Sequence, residues 1–206
     1  DFLDVQFFPE GGDMVNGLLS TVGLKSSDYK GLGYKVSGSI KNTDGTVMTT
    51  FSSNDLGMCT FKLLPEQGKN YYAEIYKQDV VYTYPLPKAK ASGSVLSVAN
   101  LKDHIRLSLM HSATNLSSVR VKTASRGVVY HDFNMELKDQ KAIASIPKSA
   151  LPDGIVKLSV YNPSNQVISE RLYFNHIADK RLNLSLNGIR ENYFQRDKTS
   201  LTLKLD

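Results

Sequence analysis

Apolar and polar residues alternate with a period of two along nearly the whole chain, the signature of strands with one buried face. Leu3, Val5 and Phe7 open the first run. Val22 with Leu24, Val36 with Ile40, and Val47 with Phe51 follow, then Cys59, Phe61 and Leu63, then Tyr71, Ala73 and Ile75, and last Val80 to Tyr84. Turn chemistry separates them: Pro9-Glu10-Gly11-Gly12, Asn42-Thr43-Asp44-Gly45, Asn54-Asp55-Leu56-Gly57 and Pro65-Glu66-Gln67-Gly68. Such breaks about every 8–12 residues predict an all-β chain built from immunoglobulin-like sandwiches. Pro85-Leu86-Pro87 and the stretch Lys88 to Gly93 read as a link, because prolines deny donors to a sheet and Ala, Ser and Gly offer little to bury.

The pattern then starts again. Val95–Ala99, Ile105/Leu107/Leu109, Val119/Val121, Val128–Phe133, Ala142–Ile146, Val156/Leu158/Val160 and Ile168–Phe174 supply seven further runs. The reading is therefore two tandem sandwiches of about seven strands each, over 1–88 and 93–178. A third restart, Leu182/Leu184/Leu186 and Leu201/Leu203/Leu205, makes residues 181–206 the first strands of a further module. Two strands bury too little apolar surface to stand alone. Those leucines are expected to pack on the second module, stay mobile or drive self-association.

Composition narrows the classes. With 41% apolar and 22% charged residues the chain is too apolar for disorder, and it holds no run of about 20 apolar residues to span a membrane as a helix. The N-terminal Asp1-Phe2-Leu3-Asp4 is acidic and unlike a signal peptide, so if the protein is exported its signal lies upstream of residue 1. The net charge of +5 is dispersed, with 9 basic against 10 acidic residues in 1–92, which argues against nucleic-acid binding. Cys59 is the single cysteine, so no internal disulfide forms and the redox compartment stays open.

No catalytic, cofactor-binding or metal-binding set emerges. His104, His111, His131 and His176 are far apart, with no zinc-ligand spacing. His131 and Asp132 are neighbours in a strand, so they point to opposite faces. Gly31-Leu32-Gly33 lacks the third glycine and the helix of a phosphate loop. Cys59 reads as a small buried hydrophobe beside Phe61 and Leu63. Tyr72, Glu74 and Tyr76 share one face of a strand, opposite Tyr71, Ala73 and Ile75. That face has two readings, an ordinary solvated sheet surface or an aromatic platform for a sugar or peptide. Leu63, Pro65, Gly68 and Tyr71 match a corner where a tyrosine hydroxyl pins the crossing between sheets, a structural role.

Three segments carry a family resemblance, and a fourth carries it more weakly. Asp4-Val5-Gln6-Phe7-Phe8-Pro9-Glu10-Gly11-Gly12-Asp13 with Leu18 to Lys25 resembles the opening of macroglobulin-like (MG2-type) modules of large Gram-negative envelope proteins. Leu56-Gly57-Met58-Cys59-Thr60-Phe61 through Tyr72 is similar to the later strands of that module, although Cys59 stands where a glycine is expected. Leu151-Pro152-Asp153-Gly154-Ile155 through Glu170-Arg171-Leu172-Tyr173-Phe174 resembles the close of the next, and Tyr193 to Lys198 the start of another. The resemblance implies an exported, non-catalytic structural or interaction protein, periplasmic or associated with the outer membrane, in chains that often carry a TonB-receptor-like plug. The thioester of α2-macroglobulins needs Cys-Gly-Glu-Gln, and Cys59 is followed by Thr60-Phe61-Lys62, so that chemistry does not carry over. The expected partners are other modules of the same chain, then envelope proteins or glycans. An enzyme site between the modules and a glycan- or peptide-binding role stay open as alternatives.

Overall fold

The computed structural model describes residues 3–77, 80–177 and 182–205. The module limits expected at Asp1, Ala178, Arg181 and Asp206 lie outside the described residues. Seven strands come first: β1 (Asp4–Pro9), β2 (Ser20–Ser27), β3 (Ser37–Asn42), β4 (Val47–Ser52), β5 (Met58–Leu63), β6 (Tyr71–Lys77) and β7 (Val80–Pro85). All pairings among them are antiparallel, giving one sheet in the order β1-β2-β5 and another in the order β4-β3-β6-β7. Seven more follow: β8 (Ser94–Asn100), β9 (His104–His111), β10 (Ser118–Ser125), β11 (Val128–Glu136), β12 (Lys141–Pro147), β13 (Gly154–Tyr161) and β14 (Val167–Asn175). Their sheets run β8-β9-β12 and β11-β10-β13-β14. Each order is the first one shifted by seven strands, so the chain is a tandem of two immunoglobulin-like sandwiches with the same topology.

Alternation sets the inner faces. Val22, Leu24, Phe61 and Leu63 of one sheet meet Ile40, Phe51, Ala73 and Ile75 of the other in the first core. Phe61 is the hinge of that packing, edge-on to Phe7 at 6.4 Å and tilted against Phe51 at 6.1 Å. The second core joins Leu96, Leu107 and Leu109 to Val121, Leu158 and Val160. Among the described residues the helical content is a single 3-10 turn, Lys148–Ala150.

The tight connections share one device. Asn42 Oδ1 accepts the amides of Asp44 and Thr46, Asn54 Oδ1 those of Leu56 and Met58, and Asn162 Oδ1 that of Gln166. The fourth residue of each turn is left-handed: Gly45 at φ 82°, Gly57 at 73° and Asn165 at 59°. At Gly57 the glycine is required twice over, because an added Cβ would also run into the carbonyl oxygen of Ser26.

Two features of the loops were not visible in the alternation. Met14 and Val15, in the long connection from β1 to β2, are among the most buried side chains in the protein. The segment after Pro85 is not a free tether either: Leu86 is buried in the first core. Lys90 pairs in parallel with Val15, its amide donating to Met14 O and its carbonyl accepting from Asn16 N, each at 2.9 Å. The last two strands, β15 (Leu184–Asn187) and β16 (Thr202–Leu205), form an antiparallel ribbon in which Leu184 faces Leu205 and Leu186 faces Leu203. Directly opposed residues share a face, so all four leucines lie on one side of it. That side is exposed, from 45% at Leu186 to 66% at Leu203.

Candidate ligand face and the junction between sandwiches

β6 places Tyr72, Glu74 and Tyr76 on the outer face of the β4-β3-β6-β7 sheet, since Ala73 and Ile75 between them are fully buried. The three are brought together, yet they do not form an open polar site. Lys41, on β3 beside Tyr72, reaches Glu74 Oε2 at 2.5 Å, and both side chains are about four-fifths covered. The hydrogen bond to Glu74 raises the pKa of Lys41. Glu74 is thereby neutralised within the sheet rather than presented to a ligand. Tyr76 is 54% exposed and its hydroxyl makes only a long contact, 3.4 Å, to Glu74 Oε2. Ser39 Oγ, on β3 opposite Glu74, is buried and unpartnered.

Tyr71 points the other way, into the core. Its hydroxyl accepts the Glu66 amide at 2.8 Å, tying the turn between β5 and β6 to the start of β6. Cys59 is half-buried, less covered than Phe61 and Leu63 on the same face. The physical reason is its place: β5 is the edge of its sheet, and Cys59 lies toward the strand's beginning, opposite Leu24. Burial still raises the thiol pKa, so the neutral thiol is favoured.

The histidines sit apart. His111 Nδ1 lies 2.8 Å from Ser94 Oγ and His131 Nδ1 lies 2.9 Å from Thr123 Oγ1. Asp132 turns to the opposite face, where Arg120 grips it with two bonds of 2.6 Å. Among the described residues no group of three His, Cys, Asp or Glu side chains is placed to hold a metal ion. No helix among them is long and apolar enough to cross a membrane.

The concavities lie elsewhere. One of about 500 Å³ is walled by Pro65 and Gln67 of the first sandwich and Ser112 and Ala113 of the second. Another of about 280 Å³ is lined by Asp13, Lys90, Ser94 and His111, with Lys90 Nζ bound to Asp13 Oδ2 at 2.7 Å. Both flank the junction, whose seam is polar and dense. Glu10 Oε1 accepts the Val98 amide at 2.7 Å and pairs with the Arg171 guanidinium, which also donates to Val98 O at 3.1 Å. Ser169 Oγ donates to Gly11 O at 2.8 Å. Burial lowers the pKa of Arg171, the cost of drawing a guanidinium into the seam, and the Glu10 carboxylate offsets that cost in place. From the sequence alone Pro9 to Gly12 reads as a turn, and Glu10 and Arg171 have no role. A glutamate in a turn and an arginine on a strand carry no local signal that they meet across 160 residues of chain.

These features define the class: a tandem of immunoglobulin-like sandwiches with a packed junction and a ribbon beyond it. No protein family matches the chain, and no curated protein matches it. Among solved structures, the native conformation of E. coli alpha-2-macroglobulin is similar over 94% of this chain and 18% of that one, at 10% identity and a TM-score of 0.32. A biofilm-associated protein BSP domain is similar over 86% of this chain and 30% of that one, at 16% identity and a TM-score of 0.37. The chain thus spans well under half the length of either, and neither similarity bears on what it does.

Proposed function

We propose that the chain is a non-catalytic, rod-forming part of an exported cell-envelope protein, built from macroglobulin-type modules and working as spacer and partner surface. One observation carries the reading: the architecture repeats by a fixed step. Eight residues separate β7 from β8, and eight separate β14 from β15. The ribbon that follows pairs its two strands antiparallel, as β1 pairs with β2 and β8 with β9. On this reading residues 1–88 and 93–178 are complete modules and 181–206 opens a third, whose other sheet would cover the leucine face. The segment from Asp4 to Asp13, with its resemblance to envelope modules, supports export to the periplasm or the outer-membrane surface.

Solution scattering tests the rod. A single elongated arrangement of the two sandwiches, unchanged between low and high salt, is the expected result. Profiles that require an ensemble of inter-module angles overturn it. A second reading, glycan or peptide recognition, draws on the exposed Tyr76 and on the junction clefts. Binding on a glycan array that Tyr76→Ala abolishes without changing the melting temperature would favour that reading over the first.

A further inference from the structure

We infer that Glu10 of the first sandwich completes the second one, plugging an open strand edge and so coupling the two cores into one cooperative unit. β8 is an edge strand, hydrogen-bonded to β9 on one side only. Its other side faces the edge of the opposite sheet, β14, across the seam that every open sandwich leaves between its sheets. An edge presents unpaired amides and carbonyls, which invite another strand unless something covers them.

In the first sandwich the equivalent seam is closed from within, by Tyr84 on β7 donating to Leu3 O beside β1 at 2.9 Å. The second sandwich closes part of its seam in the same way, with Tyr173 of β14 donating to Asn100 Oδ1 at 3.0 Å. At Val98 the closure needs both sandwiches. Arg171 of β14 satisfies the Val98 carbonyl, and the Val98 amide is satisfied by Glu10, 88 positions away. The same Glu10 oxygen neutralises Arg171. Removing Glu10 would leave an amide without its acceptor and a partly buried cation without its partner, which is why the two losses come together.

Backbone packing holds the plug in position. Gly11 is left-handed at φ 87°, and an added Cβ there would lie 2.7 Å from Ser169 Oγ and 3.0 Å from Leu96 N. The turn therefore approaches β8 and β14 more closely than a residue with a side chain allows. This inference stands on the two described sandwiches and does not require a third module.

Amide hydrogen exchange on the whole chain tests it, with chemical unfolding followed by probes in each core. In the wild type the two cores are expected to unfold together. Glu10→Ala and Gly11→Ala are expected to speed exchange of the Val98 amide at least tenfold, leave the Ile40 amide unchanged, and separate the unfolding of the second core from the first. Glu10→Gln keeps an acceptor oxygen but not the charge, and should speed Val98 exchange less than Glu10→Ala does. Val98 exchange within twofold of wild type in Glu10→Ala and Glu10→Gln overturns the inference, as does separate unfolding of the two cores in the wild type.

Discussion

Tyr71 and Cys59 show how much one atom's surroundings decide. The Tyr71 ring is buried and its hydroxyl holds one backbone amide at the edge of the core. Tyr71→Phe keeps the ring and removes that bond, so it should lower stability by about 0.5–1.5 kcal/mol, the usual net worth of one hydrogen bond. An unchanged denaturation midpoint would assign the corner to ring packing alone. At Cys59 partial exposure lets a hydroxyl reach water, so Cys59→Ser should cost less than about 1 kcal/mol rather than the full penalty of a buried polar group. The raised thiol pKa has a kinetic consequence. Alkylation of the native thiol at mildly alkaline pH should run slower than in denaturant, because less thiolate is present.

At the scale of strands and turns, the informative elements are the Asx-headed turns and the outer face of the second four-stranded sheet. Gly57 combines a left-handed backbone with direct contact to Ser26 O, so Gly57→Ala should cost about 2–4 kcal/mol, strain and overpacking together. Gly45 has the same backbone but open space around its missing Cβ, and its substitution should cost only the strain, about 1–2 kcal/mol. Equal losses at the two sites would show that contact with Ser26 does not matter.

The charges on that outer face predict a pH profile. Arg120 holds the Asp132 carboxyl below its ordinary value, and Ser159 with Lys157 does the same for Glu170. Depressed carboxylate values give stability that is complete above the unfolded range, near 4, and lost as pH falls through the folded values. His111 adds an earlier step. Burial lowers its pKa from 6.5, so the unfolded chain takes up the proton first and stability declines as pH drops below about 6.5. Melting temperature followed from pH 8 to pH 3 should therefore fall in two stages. His111→Gln should remove the first stage and leave the second, and persistence of the first in that variant would mean another group titrates there.

For the molecule as a whole, the ribbon of β15 and β16 is the open question that stability measurements can reach. Its four leucines are exposed on one face, and two strands alone bury too little to offset chain entropy. Deleting residues 181–206 should leave the unfolding midpoint of both sandwiches unchanged. Analytical ultracentrifugation should show concentration-dependent association of the whole chain that the deletion abolishes. A whole chain that stays monomeric, with ribbon amides as protected as those of the second core, would make the ribbon part of the second sandwich.

Period-two alternation determined the class of fold, because a strand packed on one face must repeat every second residue whatever lies beyond it. It also placed Tyr72, Glu74 and Tyr76 on one side of β6 and Tyr71 on the other, since the pleat alone decides that. The sequence could not show that Lys41 would neutralise Glu74, that Lys90 would pair with Val15, or that Met14 would be buried in a loop. Nor could it show that Glu10 and Arg171 meet at Val98. Those contacts join residues of different strands and different sandwiches, and they depend on how the sheets face each other and how the sandwiches dock. Alternation is a property of neighbours along the chain, whereas a seam is made by whichever residues the packing of two cores brings opposite one another.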